Sequence, residues 1–208
     1  LRGLTKQEAY ARGIAHIEEV LNWCKEKDVR ILSMWGFSTD NFNRDKTEIG
    51  SLFELFKTNL KGIIDSTNKN KNEVKIKFIG RTHLFSFEIQ QMMKMIESQT
   101  ANNSRFQLNL MLAYGGREEL VDAVNALIKE GKTEVTEQDV SDHVYTKGIP
   151  DPDLVIRTSG EQRLSGLMPW QCIYSEFFFS PKLWPDFSKD DFEEALEEYA
   201  RRKRRFGK

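Results

Sequence analysis

Apolar positions fall at helical spacing along residues 7–27, where Ile14, Ile17, Val20, Leu21 and Cys24 alternate with charges. The pattern then changes. Val29 to Phe37 is an apolar run of strand formers, followed by a polar segment from Ser38 to Arg44. A second helical face, Ile49, Leu52, Phe53, Phe56, Leu60 and Ile64, covers 47–65, and the polar stretch 66–73 reads as a surface loop. Val74, Ile76, Phe78 and Ile79 predict a strand ended by Gly80. Phe87, Ile89, Met92, Met93 and Ile96 predict a helix over 84–98. Another strand runs from Phe106 to Tyr114 and stops at Gly115-Gly116. Helices are expected over 117–130 and near 136–144, short strands over 153–157 and 173–179, and a closing helix over 188–205.

Strands separated by helices imply an α/β fold: a single domain over 1–208 whose mostly parallel central sheet is flanked by helices. Ligands of such sheets gather at the carboxyl ends of the strands. Three segments lie there: 38–44, 114–117 and 158–165.

Composition narrows the classes. Lys and Arg number 31 against 32 Asp and Glu, which gives no global attraction to nucleic acid. A basic cluster closes the chain at Arg201-Arg202-Lys203-Arg204-Arg205; it reads as a solvated helix end or as an anion site. Cys24 and Cys172 lie far apart in apolar surroundings, as buried free thiols would in a reducing cytosol. The three histidines are scattered, which argues against a histidine-based metal or triad site. No apolar run reaches the roughly 20 residues that span a bilayer. No signal peptide is visible, and a cytoplasmic protein is expected.

The candidate chemistry is phosphate chemistry. Ser38-Thr39-Asp40-Asn41-Phe42-Asn43-Arg44 follows an apolar strand and joins a hydroxyl, amides and a guanidinium, a mix that suits either a phosphate ligand or a plain turn. Past the strand ending at Arg157, Thr158-Ser159-Gly160 bends the chain, and Arg163 and Ser165 follow. Two arginines and hydroxyls on a glycine-containing loop make a plausible diphosphate clamp. Glu176 sits among Tyr174, Phe177, Phe178 and Phe179, where a carboxylate needs a partner, a metal or a polar strand face. Tyr114-Gly115-Gly116-Arg117 could offer backbone N–H groups to an anion, but an ordinary tight turn is the simpler expectation.

In order, these segments resemble the cis-prenyltransferase family, which includes undecaprenyl diphosphate synthase. The resemblance rests on Phe37-Ser38-Thr39-Asp40-Asn41-Phe42-Asn43-Arg44 with Glu48, on Ala113-Tyr114-Gly115-Gly116-Arg117, and on the long block Asp151 to Ser165. Trp170-Gln171, Tyr174-Ser175-Glu176, Leu183 to Phe187 and Arg204-Arg205-Phe206-Gly207 continue it. It implies an enzyme that adds isopentenyl diphosphate to an allylic diphosphate primer, farnesyl diphosphate being the expected one, and makes a long-chain polyprenyl diphosphate with Mg²⁺ as cofactor. It assigns Asn41 to the reacting centre and Arg44 to primer phosphate, and gives Ser38 a place among the substrate-binding residues. Arg157, Arg163 and Ser165 would hold isopentenyl diphosphate, and Glu176 would be a Mg²⁺ ligand. Arg205 and Gly207 would reach the other site of a homodimer. The product would lie in an apolar tunnel lined by helices 47–65 and 84–98, and a lipid product brings peripheral membrane contact into question.

Two features depart from the family pattern. The family's first strand and its aspartate-glycine-asparagine loop precede the point where this sequence starts, so the chain is expected to lack that strand and the catalytic aspartate. Tyr10 stands where a histidine is usual, and Lys6 where an arginine contacts phosphate. Both are counted as substrate-binding candidates. The alternative is a non-catalytic regulatory subunit of a heteromeric prenyltransferase. The presence of Asn41, Arg44, Arg157, Arg163, Ser165 and Glu176 argues against it.

Overall fold

A computed structural model describes residues 3–69 and 73–202. The chain divides into two compact units, residues 1–114 and 115–208.

The first unit is built on three parallel strands, β1 (Ile31–Ser38), β2 (Val74–Ile79) and β3 (Phe106–Tyr114), in the order β1-β3-β2. Parallel neighbours need crossovers, and helices supply them. The crossovers are α2 (Lys46–Lys69) and α3 (Phe87–Thr100); α1 (Lys6–Glu26) precedes β1, and α2 packs against both α1 and α3. The apolar stripe predicted for 47–65 meets the sheet through Leu52, Phe53, Phe56 and Leu60. There Phe37, Phe42, Phe53, Phe56 and Phe85 form one aromatic cluster with ring centroids 4.9–6.3 Å apart, mostly edge to face. Phe37 lies at its centre, only 2% exposed. The register of β1 against β3 slips on both sides of Phe37. Such bulges re-aim side chains at the end of a strand; here Phe37 enters the core and Ser38 closes the strand before the turn.

The second unit holds α4 (Gly116–Lys129), α5 (Glu137–Ser141), the parallel pair β4 (Leu154–Arg157) and β5 (Glu176–Phe179), and α6 (Lys189–Arg201). Its interior carries a polar knot. The Glu119 carboxylate, fully buried, accepts from the Tyr145 backbone N–H (2.9 Å) and from Gln171 Nε2 (3.1 Å), and Gln171 Nε2 also reaches Thr146 Oγ1 (2.8 Å). These bonds satisfy the carboxylate and the amide nitrogen, whereas Gln171 Oε1 is buried without a partner among the described residues. Gln171 thus ties α4 to Thr146, and Trp170 Nε1 donates to Ser141 Oγ on α5 (3.1 Å).

The α/β reading with parallel strands holds, and most element boundaries fall within a residue or three. Two expectations need correction. Residues 66–69 continue α2 and are not loop, with Ser66 Oγ donating to the Ile63 carbonyl (2.8 Å). The strand expected over 173–179 starts only at Glu176. Gln171–Tyr174 is a 3₁₀ turn, and Ser175 is pinned by Oγ to the Pro152 carbonyl (2.6 Å). Four-residue β4 offers pairing partners to four residues and no more. Both thiols are buried as expected, and burial pushes the Cys24 pKa up to about 12.

Candidate active site

Each unit gathers candidate residues at the carboxyl end of its parallel strands. In the first unit, β1 ends at Ser38 and passes into a 3₁₀ turn, Thr39–Asn43. Asn41 Oδ1 accepts from the Ser38 backbone N–H (2.9 Å), so the amide closes the turn on itself. Asn41 therefore does the turn's work with its oxygen. Its NH₂ has no partner among the described residues and can address a ligand.

Arg44 follows the turn, and Asp45 opens α2 by accepting from the Thr47 (2.9 Å) and Glu48 (3.3 Å) backbone N–H groups. The first turn of α2 carries Glu48, and three predicted site residues converge on it. Lys6 Nζ donates to Glu48 Oε2 (2.6 Å) and the Tyr10 hydroxyl donates to Oε1 (2.8 Å). Arg44 Nη1 donates to the Tyr10 hydroxyl (2.7 Å) and lies 3.4 Å from Glu48 Oε1. Lys6 and Tyr10 are four residues apart, one turn of α1, so one helix face presents both. The charges adjust accordingly. The Lys6 and Tyr10 hydrogen bonds hold the Glu48 carboxyl below the ordinary range, and Glu48 raises Lys6. Partial burial, then the bond to Glu48, raises Tyr10. At neutral pH the set is one carboxylate and two cations, one positive charge in surplus.

In the second unit, β4 delivers Arg157 to its carboxyl end. The chain beyond is sharply bent: Ser159, Gly160, Ser165, Gly166 and Met168 all have positive φ. Three of these are not glycine, and such conformations persist only where the surroundings impose them. The imposing contacts are visible on both sides of the loop. The Ser159 and Gly160 N–H groups donate to the Lys182 (2.6 Å) and Ser180 (2.9 Å) carbonyls, and the Gly116 N–H donates to the Gly166 carbonyl (2.9 Å). The last bond commits the Gly116 N–H to the loop, so that N–H is not offered to an anion. A Cβ on Gly116 would lie 2.1 Å from Pro169 Cδ and 2.6 Å from the Gly166 oxygen. Arg163 pairs with nearby Glu161, and the Arg157 guanidinium has no partner among the described residues.

Glu176 opens β5, and its carboxylate accepts from Arg202 Nη1 at 2.7 Å. Arg202 also pairs with Glu198 on α6. The carboxylate in its apolar segment thus has a cationic partner. Among the described residues no group of three or more His, Cys, Asp or Glu could hold a metal ion. Arg205 and Gly207 lie outside the described residues. The sequence alone assigns Glu48 no role. Its position four residues after Arg44 was an available signal for an ion pair, whereas its partnership with Lys6, 42 residues away, had no local signature. Arg202 was seen only as part of a basic cluster.

Among the described residues no helix is long and apolar enough to cross a membrane. The family profile described as "Putative undecaprenyl diphosphate synthase" matches residues 1–207. An isoprenyl transferase of Thermus thermophilus is 41% identical over 216 residues, covering 99% of this chain and 82% of that protein. A Thermoplasma acidophilum protein named tritrans,polycis-undecaprenyl-diphosphate synthase (geranylgeranyl-diphosphate specific) is 40% identical, with the same coverage. Lavandulyl diphosphate synthase from Lavandula x intermedia, solved with dimethylallyl diphosphate, superposes with a TM-score of 0.91 at 31% identity, covering 100% of this chain and 91% of that one. A probable undecaprenyl diphosphate synthase from Campylobacter jejuni superposes at 0.84 with 29% identity, covering 95% and 92%.

Proposed function

Because the chain belongs to the undecaprenyl diphosphate synthase family of prenyltransferases, we propose that it condenses isopentenyl diphosphate with an allylic diphosphate to make a long-chain polyprenyl diphosphate, acting as a homodimer. The observation that carries this reading is the convergence of Lys6, Tyr10 and Arg44, from α1 and the β1–α2 loop, on one carboxylate at the end of β1. The two cations there suit the primer's diphosphate, with the Tyr10 hydroxyl bracing Arg44 against Glu48. Asn41, with its amide NH₂ uncommitted, stands beside them for the reacting centre. Ser38 fixes that turn through its backbone N–H. Arg157, Arg163 and Ser165 hold isopentenyl diphosphate on the bent loop after β4.

In the condensation the allylic carbon loses its bond to diphosphate, bonds to the terminal alkene carbon of isopentenyl diphosphate, and a proton then leaves. The protein's task is to steady the departing anion. Mg²⁺ is the proposed cofactor, and it commonly binds through one or two carboxylates together with substrate phosphates. Glu176 is of the right donor type, a hard oxygen, and would hold the ion once released from Arg202. A bound Mg²⁺ would neutralise charge on the diphosphate leaving group. The apolar faces of α2 and α3 are the proposed walls for the growing chain.

Farnesyl diphosphate is the proposed primer, and the relative specified for geranylgeranyl diphosphate makes that the second primer to assay. The test incubates full-length protein with labelled isopentenyl diphosphate and each primer, with and without Mg²⁺, and sizes the products. Mg²⁺-dependent long polyprenyl products are expected. No product from a folded protein with either primer would refute the reading and favour a partner-subunit role.

A further inference from the structure

We propose that Glu48 is a positioning residue that sets Lys6 and Arg44 for an incoming diphosphate and relays part of that control through the Tyr10 hydroxyl. The proposal rests on the functional reading above and adds to it a residue and a division of labour.

A carboxylate among phosphate-binding cations could do either of two opposite things. It could neutralise them and compete with the ligand, or it could hold them in place for it. The bonding pattern favours holding. Glu48 is 17% exposed and anchored on the first turn of α2, whereas Lys6 is 68% exposed on a flexible stem. The carboxylate takes one donor from Lys6 and leaves two of the ammonium hydrogens unspent. Arg44 commits only Nη1, to the Tyr10 hydroxyl at 2.7 Å and to Glu48 at 3.4 Å. Its Nη2 and Nε hydrogens, the edge that grips a phosphate in bidentate fashion, have no partner among the described residues. The Tyr10 hydroxyl is used fully: it donates to Glu48 and accepts from Arg44. Each cation is thus restrained through a single nitrogen and keeps its remaining donors available.

Tyr10 suits this task. An imidazole at this position would titrate near neutral pH, changing from acceptor to cation beside Arg44. A phenol with a raised pKa stays neutral and keeps both bonds across the working range. Lys6 gains most from the restraint, since a lysine that must be ordered only on binding weakens affinity through lost rotamer freedom.

The two roles give opposite signs in Glu48→Gln. Removing the negative charge raises the local surplus from one positive charge to two, so a merely neutralising Glu48 predicts tighter anion binding. A positioning Glu48 predicts weaker binding. We expect KM for the allylic diphosphate to rise about tenfold in Glu48→Gln, from the ordering cost of two long side chains, with kcat and KM for isopentenyl diphosphate changed less than about twofold. Calorimetry with inorganic diphosphate should show a similar loss of affinity. Tyr10→Phe should move the same two quantities in the same direction by about threefold, because Arg44 then keeps only the long contact to Glu48. Thermal melts confirm that each variant is folded, and Tyr10→Phe carries the test should Glu48→Gln unfold. Unchanged or tighter diphosphate binding in folded variants of an active enzyme overturns the proposal. A wild-type protein without transferase activity overturns the functional reading instead, and the inorganic diphosphate titration still decides whether Glu48 organises an anion site.

Discussion

Replacing Gly116 by alanine tests whether the junction between α4 and the loop holding Arg163 and Ser165 is as tight as the structure makes it. The new Cβ would meet Pro169 Cδ at 2.1 Å and the Gly166 oxygen at 2.6 Å. Unstrained carbon contacts lie near 3.5–4.0 Å, so the loop must retreat by about 1.5 Å. A proline ring and a backbone carbonyl cannot rotate aside, and retreat stretches the 2.9 Å bond from the Gly116 N–H to Gly166. Overpacking of this kind costs about 1–3 kcal/mol. The lost hydrogen bond adds about 1 kcal/mol, and alanine's better helix propensity returns at most about 1 kcal/mol. The net expectation is a loss of about 2 kcal/mol, which for a chain of this size lowers Tm by about 4–8 °C. Gly62→Ala is the control: it lies in α2 with nothing within 4 Å of its would-be Cβ, and should be neutral or stabilising. Circular dichroism melts of the two variants read the difference. If the functional reading holds, Gly116→Ala also raises KM for isopentenyl diphosphate more than KM for the primer, since the displaced segment is the one after β4. A Gly116→Ala protein as stable as wild type would refute the packing argument.

Thr100→Val should lower stability by about 1–3 kcal/mol in urea titrations, because Thr100 Oγ1 accepts from the buried Ile76 N–H at 3.0 Å and valine leaves that donor unsatisfied; Thr100→Ser should keep most of it. Cys24 and Cys172, both with thiol pKa values raised by burial, should be silent toward a thiol reagent at pH 8 in the native protein and react fully in denaturant, so rapid native labelling would contradict the burial. Lys132 and Thr136 hold the Asp139 carboxyl well below its usual range. Its stabilisation is therefore complete above the unfolded value and fades as pH falls below about 4; in acid titrations of stability Asp139→Asn should show a shallower loss in that window than wild type.

The parts of the fold legible in the sequence were those fixed by short-range periodicity. The α1 and α2 faces, β2 and β3 were readable because each buries a regular stripe or a continuous run. In the structure three helix starts, Thr5 with Glu8, Thr136 with Asp139 and Ser188 with Asp191, close as capping boxes. The misplaced start of β5 came where a non-local partner decides. The apolar residues Ile173 and Tyr174 suggested strand, but β4 is too short to pair with them, and the Ser175–Pro152 bond turns the chain instead. The site behaved the same way. Composition placed phosphate-type residues at strand ends, yet the bonds that organise them join Lys6 to Glu48 across 42 residues and Glu176 to Arg202 across 26.

Glu176 shows how such a partner constrains chemistry. Its surroundings demanded a counter-charge, and the choice between a cation from the protein and a metal was open on sequence grounds. Arg202 now fills that place, but it does so as one guanidinium shared by two carboxylates, Glu176 and Glu198. An arginine with a single buried partner would resist release, since breaking a buried pair leaves an uncompensated charge. Arg202 is different: it keeps Glu198 when Glu176 leaves, and both pairs are partly open to solvent, where such bonds contribute little. Under the Mg²⁺ role proposed for Glu176, an ion arriving with a diphosphate would have only one of the two bonds to displace, at small cost.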